Sequence, residues 1–334
     1  MAFVYGIGNP LIDYLCNVEE KDLEALSLSK GTMLLIDSDK RKEIVDYTKD
    51  KDITYSCGGS APNTMVTLRL LGIDTALGGG VGNDELGAIY RNKLKEAGVI
   101  DQTVTKESSV TGTSIILLTD DKERTMNTYL GANRLYSATD VIEETVDKCD
   151  VFYFTGYMWD TECQQSAVKK AMELCKAKGK KIAFDLADPF AVGRYRSIFL
   201  DLVTNYVDIV FANSEEARVL MDNYDAYECC RSMGKLCNIS IVKNGKKGSF
   251  ISDNRKIYEI PLYGTSSPVD TTGAGDTYSA GFLYGYLKGY SSELSGKIAS
   301  YLAGEIIAQL GAQFPLSREK EIKENIENIV SNHK

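Results

Sequence analysis

Short β-rich runs that are apolar on both faces alternate along this chain with longer amphipathic stretches. The apolar runs cover residues 2–7, 74–79, 151–156, 181–186, 208–213 and 239–245. The amphipathic stretches cover residues 62–71, 84–97, 162–178, 214–222 and 226–236. Doubly buried strands joined by helices are typical of a parallel sheet covered on each side. Because such sheets bind ligands at the carboxyl ends of their strands, we expect the functional residues there.

Two stretches interrupt this alternation and predict a second, smaller sheet. Residues 11–36 follow the first strand without a crossover helix, and residues 110–130 predict a hairpin that turns at DDKE. We expect both stretches to form a small β lid on one side of the main sheet. Beyond residue 270 the pattern is helical, over 274–288, about 292–310 and 318–331. Since no internal repeat or linker-like tract occurs, we expect one domain, residues 1–334.

The charge balance and the single histidine exclude several classes of function. Lys and Arg number 38 against 47 Asp and Glu, whereas proteins that bind nucleic acid usually carry a basic surplus. The histidine is His333, one residue from the C-terminus. Ser-His-Asp triads, HExxH zinc sites and the HRD loop of protein kinases all require a histidine inside the fold. We therefore expect a carboxylate, lysine, tyrosine or thiol to carry any proton transfer.

The cysteines and the N-terminal segment favour a cytoplasmic protein. Eight cysteines occur without a CxxC pair, and MAFVYGIGNP lacks the build of a signal peptide. No apolar run approaches the ~18–20 residues that cross a bilayer. We therefore expect reduced thiols and no membrane partner.

Two nucleotide-binding motifs are incomplete or missing. Gly6 and Gly8 begin a dinucleotide fingerprint, but Leu11 stands where its third glycine belongs. A Walker A sequence does not occur in the chain. A Rossmann dehydrogenase and a P-loop kinase are therefore disfavoured.

The strongest local signal is the segment DTTGAGD, residues 270–276, directly before a predicted helix. Gly273 and Gly275 leave backbone N–H groups free at the helix start, which makes a site for an anion such as phosphate. Asp276 lies in the first turn, where it either caps the helix or accepts the proton of an attacking hydroxyl. We expect the helix terminus to keep this carboxylate ionised, as a base requires.

These segments resemble the two signatures of the ribokinase-type (PfkB) carbohydrate kinases. DTTGAGDTYSAGFL, residues 270–283, fits the second signature, and GGSAPNTMVTLRLLGIDTALGGGVG, residues 58–82, resembles the first. Met65 departs from the first pattern, which has a small residue there. The strand–helix alternation and the lid match over essentially the whole chain. The resemblance implies a ribokinase-like three-layer α/β/α fold with a mostly parallel central sheet and a small β lid.

The resemblance also implies transfer of the γ-phosphoryl group of MgATP to a primary hydroxyl. Asp276 is then the base, and the amides of Gly273, Ala274 and Gly275 neutralise charge on the transferred group. Arg124 of the predicted hairpin is then a clamp on that group, unless it is a surface residue.

For the acceptor, the resemblance points to two loops near the start of the chain. In such kinases the backbone of Gly58 and Gly59 and the side chain of Asn63 hold sugar hydroxyls. GNPLID resembles the segment with which adenosine kinases reach their substrate, which implies that Asn9 and Asp13 do so here. The structural alternatives are a turn for Asn9 and a local backbone bond for Asn63.

For the nucleotide, the resemblance points to the ends of two later strands. Asn213 and Glu216 resemble the N-x-x-E motif that organises Mg²⁺ and phosphates through water, with a helix cap as the alternative. Lys243 and Gly245 resemble the loop along the ATP phosphates and ribose, with a solvated lysine as the alternative. Asp270 and Thr272 resemble the monovalent-cation site of some members. The resemblance therefore makes K⁺ a candidate cofactor.

Adenosine is the favoured acceptor, because GNPLID, CGGSAPN and KERTM resemble adenosine-kinase-type members. Apolar residues for a wall against the base are available, although they equally suit the lid core: Met33, Leu35, Met126, Tyr129 and Trp159. A second candidate acceptor is a simple sugar or sugar acid, such as ribose, fructose or 2-keto-3-deoxygluconate. A different class is a non-catalytic nucleotide or nucleoside sensor on the same fold. A monomer and a homodimer both agree with the sequence.

Overall fold

Two β-sheets and the helices that cover them make up the computed structural model, which describes residues 2–121, 123–263 and 268–333. The strands are β1 (Phe3–Ile7), β2 (Leu11–Asn17), β3 (Met33–Leu35), β4 (Ile53–Gly58), β5 (Asp74–Gly82), β6 (Ile100–Lys106), β7 (Gly112–Leu118), β8 (Arg124–Tyr129), β9 (Val151–Thr155), β10 (Lys181–Asp185), β11 (Ile209–Asn213), β12 (Ile239–Lys243), β13 (Ser249–Asp253) and β14 (Lys256–Ile260). The α-helices are α1 (Glu20–Ala25), α2 (Ser38–Thr48), α3 (Ser60–Leu70), α4 (Glu85–Glu96), α5 (Glu143–Lys148), α6 (Glu162–Ala177), α7 (Pro189–Asn205), α8 (Ser214–Met221), α9 (Ala226–Met233), α10 (Ala274–Leu287), α11 (Ser292–Ile306) and α12 (Glu319–Asn332).

The larger sheet has the strand order β14-β13-β12-β11-β10-β9-β1-β5-β6. From β6 to β12 all neighbours are parallel, and β13 and β14 extend the sheet as antiparallel strands. The carboxyl ends of the parallel strands therefore meet along one edge, where the sequence predicts the ligand site.

Alternating side chains of the buried strands fill a core on each face of this sheet. In β9, Phe152 and Phe154 pack toward α5–α9, whereas Val151 and Tyr153 pack toward α3, α4, α10 and α11. Phe154 stacks on Phe184 of β10, with ring centroids 4.6 Å apart. Full burial of one such ring contributes ~1.5–3 kcal/mol. The helices on both faces confirm the expected three-layer α/β/α fold.

The smaller sheet, called the lid below, has the strand order β3-β8-β7-β2-β4. β7 and β8 form the predicted antiparallel hairpin, although Lys122 of its turn lies outside the described residues. Sequence analysis assigns residues 11–36 and 110–130 to the lid, and the structure adds β4, which pairs with β2. One face of the lid packs against α1 and α2 and leaves the other face free to cover the large sheet.

A very short connection joins the two sheets. β1 ends at Ile7 and β2 begins at Leu11, so only residues 8–10 pass from the large sheet to the lid. The Gly8 N–H still donates to the Gly78 carbonyl of β5 at 3.1 Å. The Asn133 side chain donates to the Pro10 carbonyl at 2.8 Å. Asn9 therefore lies where the two sheets meet.

Local cap signals explain where the helices begin. α7, which sequence analysis does not predict, begins after Asp188, whose carboxylate accepts from the Ala191 N–H at 2.8 Å. Pro189 occupies its first turn, where a missing N–H costs nothing. Among the described residues, none of the helices is long and apolar enough to cross a bilayer.

Candidate active site

A cavity of about 1580 Å³ lies between the lid and the carboxyl ends of the large sheet. Most residues that the sequence singled out line it: Asn9, Asp13, Gly59, Asn63, Asn213, Glu216, Lys243, Gly245, Thr272, Gly273, Ala274, Gly275 and Asp276. The remaining three, Gly58, Arg124 and Asp270, contact residues at its edge. The fold thus brings together segments from both ends of the chain.

Asp276 lies in the first turn of α10 and faces α3. Its carboxylate accepts from the Ser60 hydroxyl at 2.6 Å and from the Asn63 side-chain amide at 2.9 Å. Gly273 has a φ of +77°, and a Cβ there would lie 2.7 Å from Ala312 Cβ, so only glycine fits this close approach. The base candidate and the amide loop therefore share one rigid corner of the cavity.

Burial raises the pKa of Asp276 to about 6, although the hydrogen bonds from Ser60 and Asn63 oppose this shift. From the sequence we expect the helix terminus to lower the pKa of Asp276. In the structure, desolvation of the carboxylate raises the pKa by more than any such effect lowers it. The carboxylate is still mostly ionised at pH 7.5. It is a stronger base than a carboxylate in water, which suits proton removal from a hydroxyl.

Asp13 and two glycines form the opposite wall of the cavity. Burial raises the pKa of Asp13 to about 7, with Arg124 lowering and Asp270 raising it. A Cβ on Gly58 would lie 2.8 Å from Asp13 Cγ, and a Cβ on Gly59, where φ is +102°, would collide with the Asn9 carbonyl. The two glycines therefore let the acceptor loops approach each other.

Asn9 and Met65 explain the packing beneath this wall. The Asn9 side-chain oxygen accepts from Gln164 Nε2 of α6 at 2.8 Å. Met65, the departure from the family pattern, is fully buried and fills the space over Gly6, where a Cβ would lie 2.8 Å from its Sδ. The large Met65 side chain of α3 therefore fits because Gly6 of β1 has no side chain.

Arg124 ties the lid to the start of the DTTGAGD segment. Its guanidinium donates to Asp270 at 2.8 Å and to the Thr272 hydroxyl at 2.5 Å. Asp270 also accepts from the Thr272 N–H at 2.9 Å and from the Gly311 N–H at 2.9 Å. Burial raises the pKa of Asp270, but these bonds outweigh it and hold the pKa below its usual value. The structure therefore pairs Asp270 with a guanidinium where sequence analysis expects a monovalent cation.

The nucleotide-side residues lie at the ends of β10, β11 and β12. Asn213 and Glu216 form the reciprocal helix cap, with the Asn213 N–H donating to Glu216 at 2.8 Å. Lys243 Nζ donates to Asp185 at 3.0 Å and lies 3.3 Å from where a Gly275 Cβ would be. Burial raises the pKa of Glu216 to about 7, although Lys243 lowers it. Lys243 therefore points at the amide loop.

The roles of three polar side chains of this site are not predicted from the sequence. Ser60 donates to Asp276, and Gln313 donates to the Asn63 carbonyl oxygen at 3.0 Å. Asp185 holds Lys243 and accepts from the Ser279 hydroxyl of α10 at 2.8 Å. Asp185 ends a buried strand, so its position alone was a usable signal.

The apolar wall is partly as expected. Met33, Leu35 and Met126 line the cavity, together with Leu34 of the same exposed strand. Tyr129 does not line it, and the expectation for Trp159 is wrong. Trp159 is fully buried against Phe154 and Phe199, because the segment after β9 turns its ring into the main core.

Taken together, the cavity holds a half-buried carboxylate, a glycine-rich loop at a helix start and a lysine, with Asp13 and two glycines opposite. This set can deprotonate a hydroxyl and neutralise charge on an anion that the hydroxyl attacks. Direct covalent catalysis is not required for such a transfer.

Known proteins share this sequence and fold. The family model of the pfkB family carbohydrate kinase matches residues 27–319. The crystal structure of adenosine kinase from Sinorhizobium meliloti superimposes with a TM-score of 0.88 at 35% identity, covering 97% of this chain and 99% of that chain. A probable sugar kinase from Rhizobium etli gives a TM-score of 0.88 at 35% identity, covering 97% of each chain. Adenosine kinase from Dictyostelium discoideum is 28% identical over 94% of this chain and 96% of its own. The chain therefore belongs to the pfkB family of carbohydrate kinases, which are phosphotransferases with an alcohol group as acceptor.

Proposed function

We propose that this protein transfers the γ-phosphoryl group of ATP to the primary ribose hydroxyl of adenosine. The observation that carries the proposal is the position of Asp276. Its carboxylate accepts from the Asn63 amide, and it lies in the first turn of α10, which begins directly after Gly273. Relatives named adenosine kinase cover nearly the whole chain, which supports this choice of acceptor.

In the proposed reaction Asp276 takes the proton of the attacking hydroxyl. A bond forms between that oxygen and the γ-phosphorus, and the bond from the γ-phosphorus to the bridging oxygen breaks, which leaves ADP. The amides of Gly273 and Gly275 and the ammonium of Lys243 offset negative charge on the transferred group. The Ala274 N–H already donates to the Thr271 carbonyl at 3.3 Å. Positioning and charge stabilisation supply most of the rate enhancement in this class of reaction.

Asn9, Asp13, Asn63 and the backbone of Gly58 and Gly59 are assigned to the ribose. Among the described residues, none donates a hydrogen bond to the Asp13 carboxylate, so its oxygens are free to accept from two ribose hydroxyls. Bonds of this kind favour the ionised carboxylate and compensate for its burial. The apolar wall of Met33, Leu34, Leu35 and Met126 suits a purine base better than a bare sugar.

Asn213 and Glu216 are assigned to Mg²⁺. The fit rests on the buried Glu216 carboxylate beside the cavity, because carboxylate oxygens are preferred ligands of Mg²⁺, often through retained water. When bound there, Mg²⁺ would supply positive charge that offsets the charge of the phosphates. Gly245, with a φ of +56° and open space around it, is assigned to the same nucleotide wall. We assign Asp270 and Thr272 to Arg124 rather than to K⁺.

The location of the protein is proposed from its thiols. All eight cysteines lie within the described residues and are free. Burial raises the pKa of Cys57 to about 12 and that of Cys230 to about 11, which keeps these thiols unreactive. This use of cysteine suits a reducing, cytoplasmic setting.

A sugar kinase is the second candidate, because the probable sugar kinase of Rhizobium etli matches this chain as well as the adenosine kinase of Sinorhizobium meliloti does. An acceptor panel separates the two candidates. ADP formation is measured with adenosine, other nucleosides, ribose, fructose and 2-keto-3-deoxygluconate. Adenosine should give the highest kcat/KM. A higher value with any sugar would replace adenosine as the acceptor, and tight nucleotide binding without turnover would favour a sensor.

The base assignment is tested with Asp276→Asn. We expect kcat to fall by roughly 10²–10⁴ while adenosine binding, measured by calorimetry, stays near that of the wild type. Near-normal turnover in the variant would refute Asp276 as the base.

A further inference from the structure

We propose that Gln313 is a positioning residue that fixes the orientation of the Asn63 side-chain amide, so that its NH₂ group faces Asp276. The proposal rests on the assignment of Asp276 as the base of the proposed kinase reaction. Gln313 contacts Asn63 and not Asp276, so it acts through another residue.

The geometry is a chain of two hydrogen bonds. Gln313 Nε2 donates to Asn63 Oδ1 at 3.0 Å, and Asn63 Nδ2 donates to Asp276 Oδ2 at 2.9 Å. Asn63 is only 4% exposed, so water has little access to its amide. In the opposite orientation the Asn63 oxygen would face the Asp276 carboxylate, and two acceptors would oppose each other. The orientation in which the Asn63 NH₂ group faces Asp276 therefore needs a hydrogen-bond donor next to the Asn63 Oδ1 atom.

Gln313 is held in place by its own segment. Its backbone carbonyl accepts from Gln309 Nε2 at 2.8 Å, and the neighbouring Gly311 N–H donates to Asp270. Ala312 packs against Gly273, where even a methyl group would not fit. The segment that carries Gln313 is thus anchored directly beside the amide loop.

This arrangement affects the reaction through the charge of the base. A hydrogen bond donated by Asn63 favours the ionised carboxylate, which is the form that accepts a proton. Loss of the Gln313 donor leaves a buried carbonyl oxygen on Asn63 without a partner in the productive orientation. The variant protein should therefore need a higher pH to ionise Asp276.

The test compares Gln313→Leu, which removes the donor, with Gln313→Glu, whose ionised carboxylate only accepts and therefore competes with Asp276 for the Asn63 NH₂ group. Gln102→Glu, on β6 and outside the cavity, is the charge-matched control. kcat is measured from pH 5 to pH 9 with both substrates saturating. We expect the acidic limb to move up by about 0.5–1 pH unit in Gln313→Leu and further in Gln313→Glu.

Two readouts separate positioning from general damage. At pH 9 the kcat of Gln313→Leu should return to within about 3-fold of the wild type, because Asp276 ionises there regardless. A kcat lowered equally at every pH, or an unmoved acidic limb in both variants, would overturn the proposal. Titration of the Asp276 carboxyl by ¹³C NMR gives the same comparison without turnover. An upward shift there in a protein that phosphorylates no acceptor would support Gln313 while rejecting the proposed function.

Discussion

Gly58 shows how closely single residues of the acceptor wall are fitted. Its missing side chain leaves room for the Asp13 carboxylate, and its φ is not in the left-handed region. The backbone would therefore accept alanine, and the three atoms nearest to the new methyl group would all belong to Asp13. This makes Gly58 a selective probe of Asp13.

We expect Gly58→Ala to raise the KM for the acceptor by at least about 10-fold. The reason is that displacement of Asp13 would remove its proposed bonds to the ribose, each worth about 1.5–3 kcal/mol. The effect on kcat should be smaller. Gly193→Ala is the control, since its methyl group would meet Val219 at an ordinary 3.7 Å. Steady-state kinetics with unchanged KM in Gly58→Ala would remove Asp13 from the acceptor site.

The residues that sequence analysis identifies are those within a local motif, such as Asp276 and Asn63. Ser60 and Gln313 are missed because their roles depend on partners 216 and 250 residues away. A serine or glutamine near a glycine-rich segment has many local uses, so nothing in the sequence selects these partners. The predicted position of Trp159 in the apolar wall is wrong for the same reason, since packing of the core determines which way its ring points.

At the scale of elements, the guanidinium of Arg124 holds the lid to the start of the DTTGAGD segment. Arg124 lies at the first position of β8, and its side chain reaches Asp270 and Thr272 across the edge of the cavity. Asp270 is almost fully buried, so this ion pair is better shielded from solvent than a surface pair. Arg124 therefore ties the lid to Asp270, and in the proposed reaction it also supplies positive charge near the phosphates.

We expect Arg124→Gln to speed amide hydrogen exchange in β7 and β8 while leaving exchange in α10 unchanged. The reason is that removing one partner of a buried pair frees the lid and leaves α10 in its own core. kcat should also fall, by about 10–100-fold, through loss of charge near the transferred group. Exchange as slow as in the wild type would show that Arg124 does not restrain the lid.

The elements that sequence analysis predicts are the long or doubly buried ones. β1, β5 and β9–β12 carry the apolar pattern of a covered sheet, and the predicted helices are found with small differences at their ends. β13 and β14 are missed because they are short antiparallel strands of mixed polarity at one end of the sheet. β3 has three residues, all exposed, so it has no periodicity to detect. α7 begins with an Asp-Pro pair that is itself a helix-start signal.

At the scale of the whole molecule, three buried carboxylates make the stability depend on pH. Burial raises the pKa of Asp13 and Glu216 to about 7 and that of Asp276 to about 6. Between about pH 4 and pH 7 the folded protein therefore binds more protons than the unfolded chain. By linkage, its free energy of unfolding falls as the pH rises through this window.

We expect denaturant unfolding of the ligand-free protein to show lower stability at pH 8 than at pH 5. In Asp276→Asn this decrease should be smaller by roughly 1–2 kcal/mol, because one raised pKa has been removed. Equal decreases in the two proteins would contradict the raised pKa of Asp276.

We also propose that the lid and the large sheet form one domain. One unfolding transition is therefore expected, whereas two transitions would show that they are separate domains.

The three-residue passage from β1 to β2 has a mechanical consequence. Three linking residues span at most about 3.3–3.6 Å each, so the smaller sheet is unable to slide far from the strand that feeds it. We therefore expect any opening of the lid to be mainly a rotation, with Asn9 near the pivot. During such a rotation Asn9 would move little relative to the large sheet. Asp13, farther along β2, would move farther from it. In the proposed reaction, Asn9 could therefore hold the acceptor before the lid closes over it.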